Sequence, residues 1–422
     1  MSSSRHLAPE GNRFIILLGA LTAQGAISVD VLLPSLPSMV RELSMTSAAA
    51  QLTIGLYIGG FAAGQLGWGW LSDWVGRRPV ILAGTGGYAL TTFMCSFSHS
   101  GEELLFWRLL LGICAAAPIT VSRAVLRDHF TGRLLARRMA AMTTVFFLSP
   151  MLAPALGTFL LYSFGWRSVF WVPGLISVIA LGFAWVFLGE SHAISKRKRS
   201  SFLQILGTFR DMILHPVSGP CLMIQAGMSA GIMTWISSSS LILTGYYQIP
   251  NRYYALFFTA TAAVQLSGTI SCNHLLRTHT LPKVMEWGGI FVGSGAVLLF
   301  LCTVPFNAPL WAVMSSIWIF MYGFGLMVPA TSGMALHAFG LVGGLAAALL
   351  GSAQSLFGSI GSIVSASLYN GTASSLGEGM GMAAAFACLM LLILSLRLRR
   401  EPELVDHPPE ADTPLNEQKT ST

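Results

Sequence analysis

About twelve apolar stretches, each close to 20 residues long and bounded by charge, glycine or proline, constrain this chain more than any other feature. As a helix, each is long enough to cross roughly 30 Å of hydrocarbon. In lipid every backbone polar group needs an internal partner, so a spanning segment is a helix or part of a closed barrel. The stretches fall near 14–37, 47–72, 79–98, 103–126, 138–162, 168–189, 217–246, 252–276, 282–303, 308–332, 342–369 and 379–398. Charged residues are 10% of the 422, against about 25% in soluble domains, and cannot cover a globular surface. The expected fold class is an all-α polytopic membrane protein with twelve transmembrane helices.

The longest polar interruption, 190–216, carries Lys196, Arg197, Lys198 and Arg199 and divides the chain into two sets of six spans. The expected organisation is an N-terminal six-helix bundle at 1–189, a cytoplasmic linker at 190–216 and a C-terminal six-helix bundle at 217–400. The stretch 401–422, with six acids and four prolines, is expected to be a disordered acidic cytoplasmic tail. With both termini cytoplasmic, nineteen of the 24 Lys and Arg lie inside. Arg41, Arg167 and Arg252 lie outside, and Arg108 and Arg123 remain in spans. This positive-inside bias needs an even number of spans. The apolar run after Arg13 lacks an A-x-A cleavage pattern and reads as the first span, left in place.

Composition and motifs exclude several classes. The net charge of +7 resides in the connections and forms no basic surface with interleaved aromatics, so nucleic acid is not an expected partner. Cys95, Cys114, Cys221, Cys272, Cys302 and Cys388 show no ligand spacing and read as packing residues, giving neither a disulfide framework nor a metal site. Gly227-Met228-Ser229-Ala230-Gly231 has the G-x-S-x-G letters but lies inside an apolar helical run, where the strand-to-helix elbow of a hydrolase is impossible. Close helix packing is expected there, as for Gly55, Gly59, Gly60 and Gly64. The chain has no phosphate-binding loop, no cofactor is implied, and no enzymatic constellation stands in the spans.

Charges in spans carry the functional reading. Asp30 is the sole charge in its span. Arg108 does not readily lose its proton and needs an acid, a carbonyl cluster or a watery cavity. Asp30 lies seven residues before Pro37 in an outward-running span, roughly 10 Å deep; Arg108 is five residues into an inward-running one, roughly 8 Å deep, so they share one depth. Burial favours the neutral acid and a nearby guanidinium the charged one. Closing the cavity or moving Arg108 is thus a means by which Asp30 loads a proton outside and releases it inside. Glu286 lies barely one turn from a cytoplasmic helix end, where snorkelling or pairing with Lys283 accounts for it. Polar and aromatic residues near span centres, Tyr57, Trp235, Gln265, Trp318, Tyr322 and Gln354, are candidate cavity residues, with Arg123.

Gly69-Trp70-Leu71-Ser72-Asp73-Trp74-Val75-Gly76-Arg77-Arg78-Pro79 combines a helix end, an acid, a turn glycine, two inner-face arginines and a proline suited to begin the next helix. Asp128 ends the fourth span on the same side, so Asp73, Arg77 and Asp128 are expected to form an inner-face charge cluster.

The 69–79 run resembles the inter-helix motif of the major facilitator superfamily. Arg108-Leu109-Leu110-Leu111-Gly112 resembles its RxxQG element, with Leu111 where Gln often stands. Ser149 to Gly157, with Pro150, Pro154 and Gly157, is similar to the signature of drug:proton antiporters, with Ser149 replacing a glycine. Asp30 to Pro37, Arg123 to Asp128 and Gly165 to Phe170 look like the Bcr/CflA branch, whose members are bicyclomycin, chloramphenicol and multidrug exporters. The matching loop of the second half, Asn273 to His279, lacks the acid and the glycine, so coupling roles are not carried over there. The resemblance implies two six-helix bundles about a pseudo-two-fold axis along the membrane normal, alternating access around a central cavity, and export of small organic molecules against an inward proton gradient. It implies a monomer in the bacterial inner membrane, with Gly69, Asp73, Gly76, Arg77, Arg78 and Asp128 latching the outward-open state. Some relatives have a second acid two turns before Asp30; here Thr22 stands there, which favours neutral or zwitterionic cargo over cations. The competing expectation is a dedicated metabolite or siderophore exporter, or an importer, on the same scaffold.

Overall fold

The computed structural model describes residues 11–192, 202–337, 339 and 343–400. The stretches 193–201, with the Lys196–Arg199 run, and 401–422, with the acidic tail, lie outside the described residues.

The first span is broken where its prolines dictate. Helix α1 (Asn12–Asp30) stops at Asp30 and is followed by a 3-10 turn (Leu33–Ser35) and a short α2 (Leu36–Glu42). Pro34 has no N–H to donate to the Asp30 carbonyl, and Pro37 none for that of Leu33, so the regular ladder cannot continue. Five helices complete the N-terminal bundle: α3 (Ser47–Val75), α4 (Arg77–Phe97), α5 (Gly101–His129), α6 (Gly132–Phe164) and α7 (Ser168–Phe187). Thr46 and Ser100 cap α3 and α5 by accepting the N–H groups of Ala49 and Glu103.

The linker contains a helix of its own, α8 (Phe202–Leu214), packed on α9 (Ser218–Ser240) and α13 (Gly343–Leu368). A π-turn (Leu241–Tyr246) extends α9, and α10 (Asn251–Leu275), α11 (Leu281–Thr303), α12 (Leu310–His337) and α14 (Ser374–Arg400) complete the C-terminal bundle. Among the described residues, ten helices are long and apolar enough to cross a membrane. The other two spans are α3, whose six glycines and two glutamines dilute its hydropathy, and α6, with its apolar stretch Leu152–Phe164.

The two bundles repeat one packing plan. In the first, α3 packs on α5, α4 on α5 and α7, and α1 on α5, α6 and α7; in the second, α10 packs on α12, α11 on α12 and α14, and α9 on α12, α13 and α14. Each of these contacts in one half has its counterpart in the other, as a duplicated six-helix unit requires. The halves meet through α3 against α13 and α6 against α10, again a symmetry-related pair.

Small residues set these approaches. A Cβ on Gly60 would fall on the Leu109 carbonyl and one on Gly325 on that of Gln265, so the helices pack backbone to backbone. Gly227 and Gly231 likewise abut α14 and Phe320, within a continuous helix. Outer faces present apolar side chains such as Ile176, Ile179 and Phe183, the surface a lipid solvent demands.

Candidate functional site

The halves enclose a cavity of about 430 Å³, within the 300–1,000 Å³ range of small-molecule sites. Its wall is mostly apolar. From the N-terminal half come Val29, Asp30, Tyr57, Ile58 and Phe61; from the C-terminal half come Trp235, Phe258, Thr261, Gln265, Phe324 and Gln354, among others. Asp30, 5% exposed, is the only charged residue on the wall among the described residues. It occupies the last turn of α1, at the break imposed by Pro34, and discontinuous helices of this kind recur at transporter binding sites.

Arg108 is fully buried on α5, and a carbonyl cluster receives it. Its Nε donates to the Thr53 carbonyl at 3.1 Å, and its Nη1 donates to the carbonyl and hydroxyl of Ser28 at 3.3 Å each. The guanidinium carbon lies 4.4 Å from the centroid of the Tyr57 ring, a cation–π distance. Arg108 therefore braces the last turn of α1 two residues before Asp30. Tyr57 is fixed from below by its own hydroxyl, which donates to the Gly25 carbonyl at 2.7 Å.

Gly157 brings α6 against the same segment. A Cβ there would land on the Val31 carbonyl, so only glycine permits this crossing beside Asp30. Pro154 is buried one turn earlier, and its carbonyl accepts from the Thr158 hydroxyl. Pro150 lies in the helical stretch of α6, with its side chain outside the described residues.

The structure brings Asp73, Arg77 and Asp128 together. Arg77 Nη1 lies 2.6 Å from Asp73 Oδ1 and its Nε 3.1 Å from Asp128 Oδ2. Gly76 makes the turn with φ of +115°, a conformation that favours glycine. Glu190, which the sequence reading did not single out, completes the cluster. Its two oxygens accept the backbone N–H groups of Arg77 and Arg78 at 2.9 and 3.2 Å, capping α4 from 112 residues away. Arg78 reaches on to the Trp185 carbonyl at 2.7 Å, and Ser191 donates to Asp128 at 2.9 Å. Gly69 stands one turn back, over Thr120.

Of the candidate cavity residues, Tyr57, Trp235, Gln265 and Gln354 line the wall. Trp318 stands behind it, donating to the Thr261 hydroxyl at 3.2 Å; Tyr322 packs edge-on against Phe291; Arg123 is exposed on α5. The indole N–H of Trp235 is buried and has no partner among the described residues. Glu286 lies 4.0 Å from Arg399, and both are well exposed, a geometry of little energetic weight. Lys283 lies over the Trp287 ring instead.

A belt of polar residues joins the halves on one side of the cavity. Gln51 Oε1 accepts from the hydroxyls of Ser238 and Ser365 at 3.3 and 3.4 Å, Ser359 donates to the Gly55 carbonyl at 2.7 Å, and Asn251 donates to that of Pro34 at 2.8 Å. The last recorded polar bond between the halves along α3 joins Ser355 to Gln65 at 3.3 Å. These bonds lie toward the end where α3 begins.

Comparison with known proteins agrees with this architecture. The chain is 26% identical over 355 residues to a bicyclomycin resistance protein homolog of Haemophilus influenzae, covering 82% of this chain and 85% of the relative. It is 27% identical over 349 residues to the multidrug resistance protein MdtL of Escherichia coli O157:H7, covering 81% and 85%. Among solved structures, a bacterial homolog of the human lysosomal transporter Spinster, inward-facing and occupied, superposes with a TM-score of 0.73 at 15% identity, over 95% of this chain and all of that one. The D-xylose-proton symporter does so with a TM-score of 0.68 at 14% identity, over 89% and 97%. With the Major Facilitator Superfamily model matching residues 16–366, two equivalent six-helix bundles and a central cavity between them, the chain belongs to that superfamily of membrane transporters.

Proposed function

We propose that this transporter exports small organic molecules, drugs among them, in exchange for protons, by alternating access. The observation that carries the reading is one buried acid, Asp30, on a cavity wall that carries no other charge among the described residues, at the broken end of a helix that Arg108 braces. Desolvation favours a neutral acid and a guanidinium a charged one. A movement of the bundles that changes the spacing of Arg108 and Asp30 therefore loads or unloads one proton. The relatives' names, bicyclomycin resistance and multidrug resistance, support organic drugs as cargo. The mostly apolar wall with neutral amides and hydroxyls favours neutral or zwitterionic molecules.

The charge bias favours a bacterial cytoplasmic membrane with both termini and the 190–216 linker inside. In that orientation the Gln51–Ser238–Ser365 belt is the outer gate, closed here, and the cavity is reached from within. The recorded partners of Arg77 and Arg78 belong to the N-terminal half and, with Glu190, to the first residue of the linker. This fits a cluster that engages the other half only in the outward-open state. Its pairs are partly buried, with the Arg77 side chain only 7% exposed, and a change in them of about 1 kcal/mol is enough to bias states separated by a few kcal/mol. The transporter acts as a monomer, with bundles 1–189 and 217–400 as its moving bodies.

A susceptibility panel in an efflux-deficient host, with and without a proton uncoupler, tests the reading. Expression should lower susceptibility to several uncharged drugs, and the uncoupler should restore it. Tight binding of one endogenous compound with indifference to every drug would replace it with a dedicated metabolite exporter.

A further inference from the structure

Behind the C-terminal wall of the cavity, four side chains from three helices fix the polarity of one exposed group. Thr331 and Ser332 on α12 donate their hydroxyl hydrogens to the carbonyls of Met327 and Val328, each at 2.8 Å. Their oxygens are left only as acceptors toward Gln225 on α9, which is 1% exposed. Gln225 Nε2 lies 3.0 Å from Thr331 Oγ1 and 2.8 Å from Ser332 Oγ, and gives both its hydrogens to them. Its Oε1 must then accept. The group it accepts from is Gln354 Nε2 on α13. Each step removes one choice of amide orientation, so the direction set by two hydroxyls is passed through two amides to the cavity wall. At the end of the chain stands Gln354, on the wall; one Nε2 hydrogen is given to Gln225, which fixes the amide's orientation and with it the place of Oε1, an acceptor. Ser229, also on the wall, holds the backbone beneath it by donating to the Gln354 carbonyl at 2.7 Å.

We infer that Gln354 Oε1 is a specificity-determining acceptor whose orientation Gln225, Thr331 and Ser332 enforce, so that the cargo is an uncharged molecule presenting an N–H or O–H donor to the C-terminal wall. The inference rests on the transport reading and adds the cargo's hydrogen-bonding polarity. A buried network with every member satisfied specifies one arrangement. A site built to accept a hydrogen bond discriminates against the analogue that cannot donate one. Because Gln354 is only partly buried, water softens the penalty, and a preference of about tenfold is expected.

Binding of bicyclomycin, which carries hydroxyl and amide donors, and of its fully O- and N-methylated derivative, in which every donor is blocked, is measured by calorimetry on the purified full chain. The comparison is between the ratio of their Kd values in the wild type and that in variants, which cancels the added bulk of the methyl groups. The wild type should favour the free hydroxyl compound by about tenfold. Gln354→Leu should bring the ratio to within about twofold, and Thr331→Val/Ser332→Ala, which leaves the wall intact but frees Gln225 to turn, should lower it partway. Gln354→Met serves if the leucine variant does not fold. An unchanged ratio in a folded Gln354 variant overturns the inference and leaves the export reading standing. Failure of the wild type to bind either probe, or any uncharged drug of the panel, sinks the export reading and this inference together.

Discussion

Glu190 fastens the end of the sixth span to the turn between the second and third, and its removal has a calculable cost. Its carboxylate caps two of the first backbone N–H groups of α4, at 2.9 and 3.2 Å. Loss of an N-terminal cap costs about 1 kcal/mol, and a negative charge at that end of a helix contributes about 0.3–1 kcal/mol more. Glu190→Ala is therefore expected to destabilise the protein by about 1.5 kcal/mol. Glu190→Gln, which keeps one acceptor and loses the charge, should cost about 0.5 kcal/mol. For a chain this large about 1 kcal/mol moves the melting midpoint by about 2–4 °C. The free cysteines Cys95, Cys221 and Cys272 are buried, so with the half-buried Cys114, Cys302 and Cys388 replaced by serine in every variant a thiol-reactive fluorophore reports unfolding in detergent. The order wild type, Gln, Ala in falling midpoint is predicted. An Ala variant that melts with the wild type would show that water caps α4 equally well.

Other perturbations follow from particular contacts. Asp73→Asn should impair transport in proteoliposomes while the yield of folded protein stays near wild type, and full activity of the purified variant would remove the latch assignment. Gly157→Ala places a Cβ on the Val31 carbonyl and should cost about 1–3 kcal/mol. Gly182→Ala in α7, with nothing within 4 Å of the added carbon, should leave the melting midpoint unchanged or raise it; equal shifts in the two variants would refute the packing argument. A cysteine at Ser200 in a cysteine-free background should resist an impermeant reagent added to intact cells, and its labelling would invert the proposed topology.

The spans were legible because lipid makes the hydrophobic pattern nearly sufficient, and the charge cluster because Asp73, Gly76 and Arg77 lie within one turn of sequence. The meeting of Arg108 with the Asp30 segment followed from counting rise along two helices. The partners that complete the site were not legible. Glu190 to Arg77 spans 113 residues, Gln225 to Gln354 spans 129 and Gln51 to Ser365 spans 314. Such pairs are set by how bundles dock, on which hydropathy is silent. Rotation about a helix axis was equally hidden. Trp318 and Tyr322 sit at the right depth but stand behind the lining, Trp318 against Thr261 and Tyr322 against Phe291, whereas Gln265 lines the wall. The break at Asp30 was written in Pro34 and Pro37, yet the apolar run reads straight through it.

In the proposed mechanism one carboxylate couples proton movement to export, and Asp30→Asn isolates its part. Asparagine preserves shape and polarity and cannot exchange a proton. Purified variant and wild type are reconstituted into vesicles, and drug accumulation is followed under an imposed pH gradient beside downhill exchange of the same drug. The account predicts that the variant loses uphill accumulation and substrate-induced proton release while downhill exchange survives. Accumulation by the Asn variant at the wild-type level would contradict it and move the search for the coupling acid to Glu286.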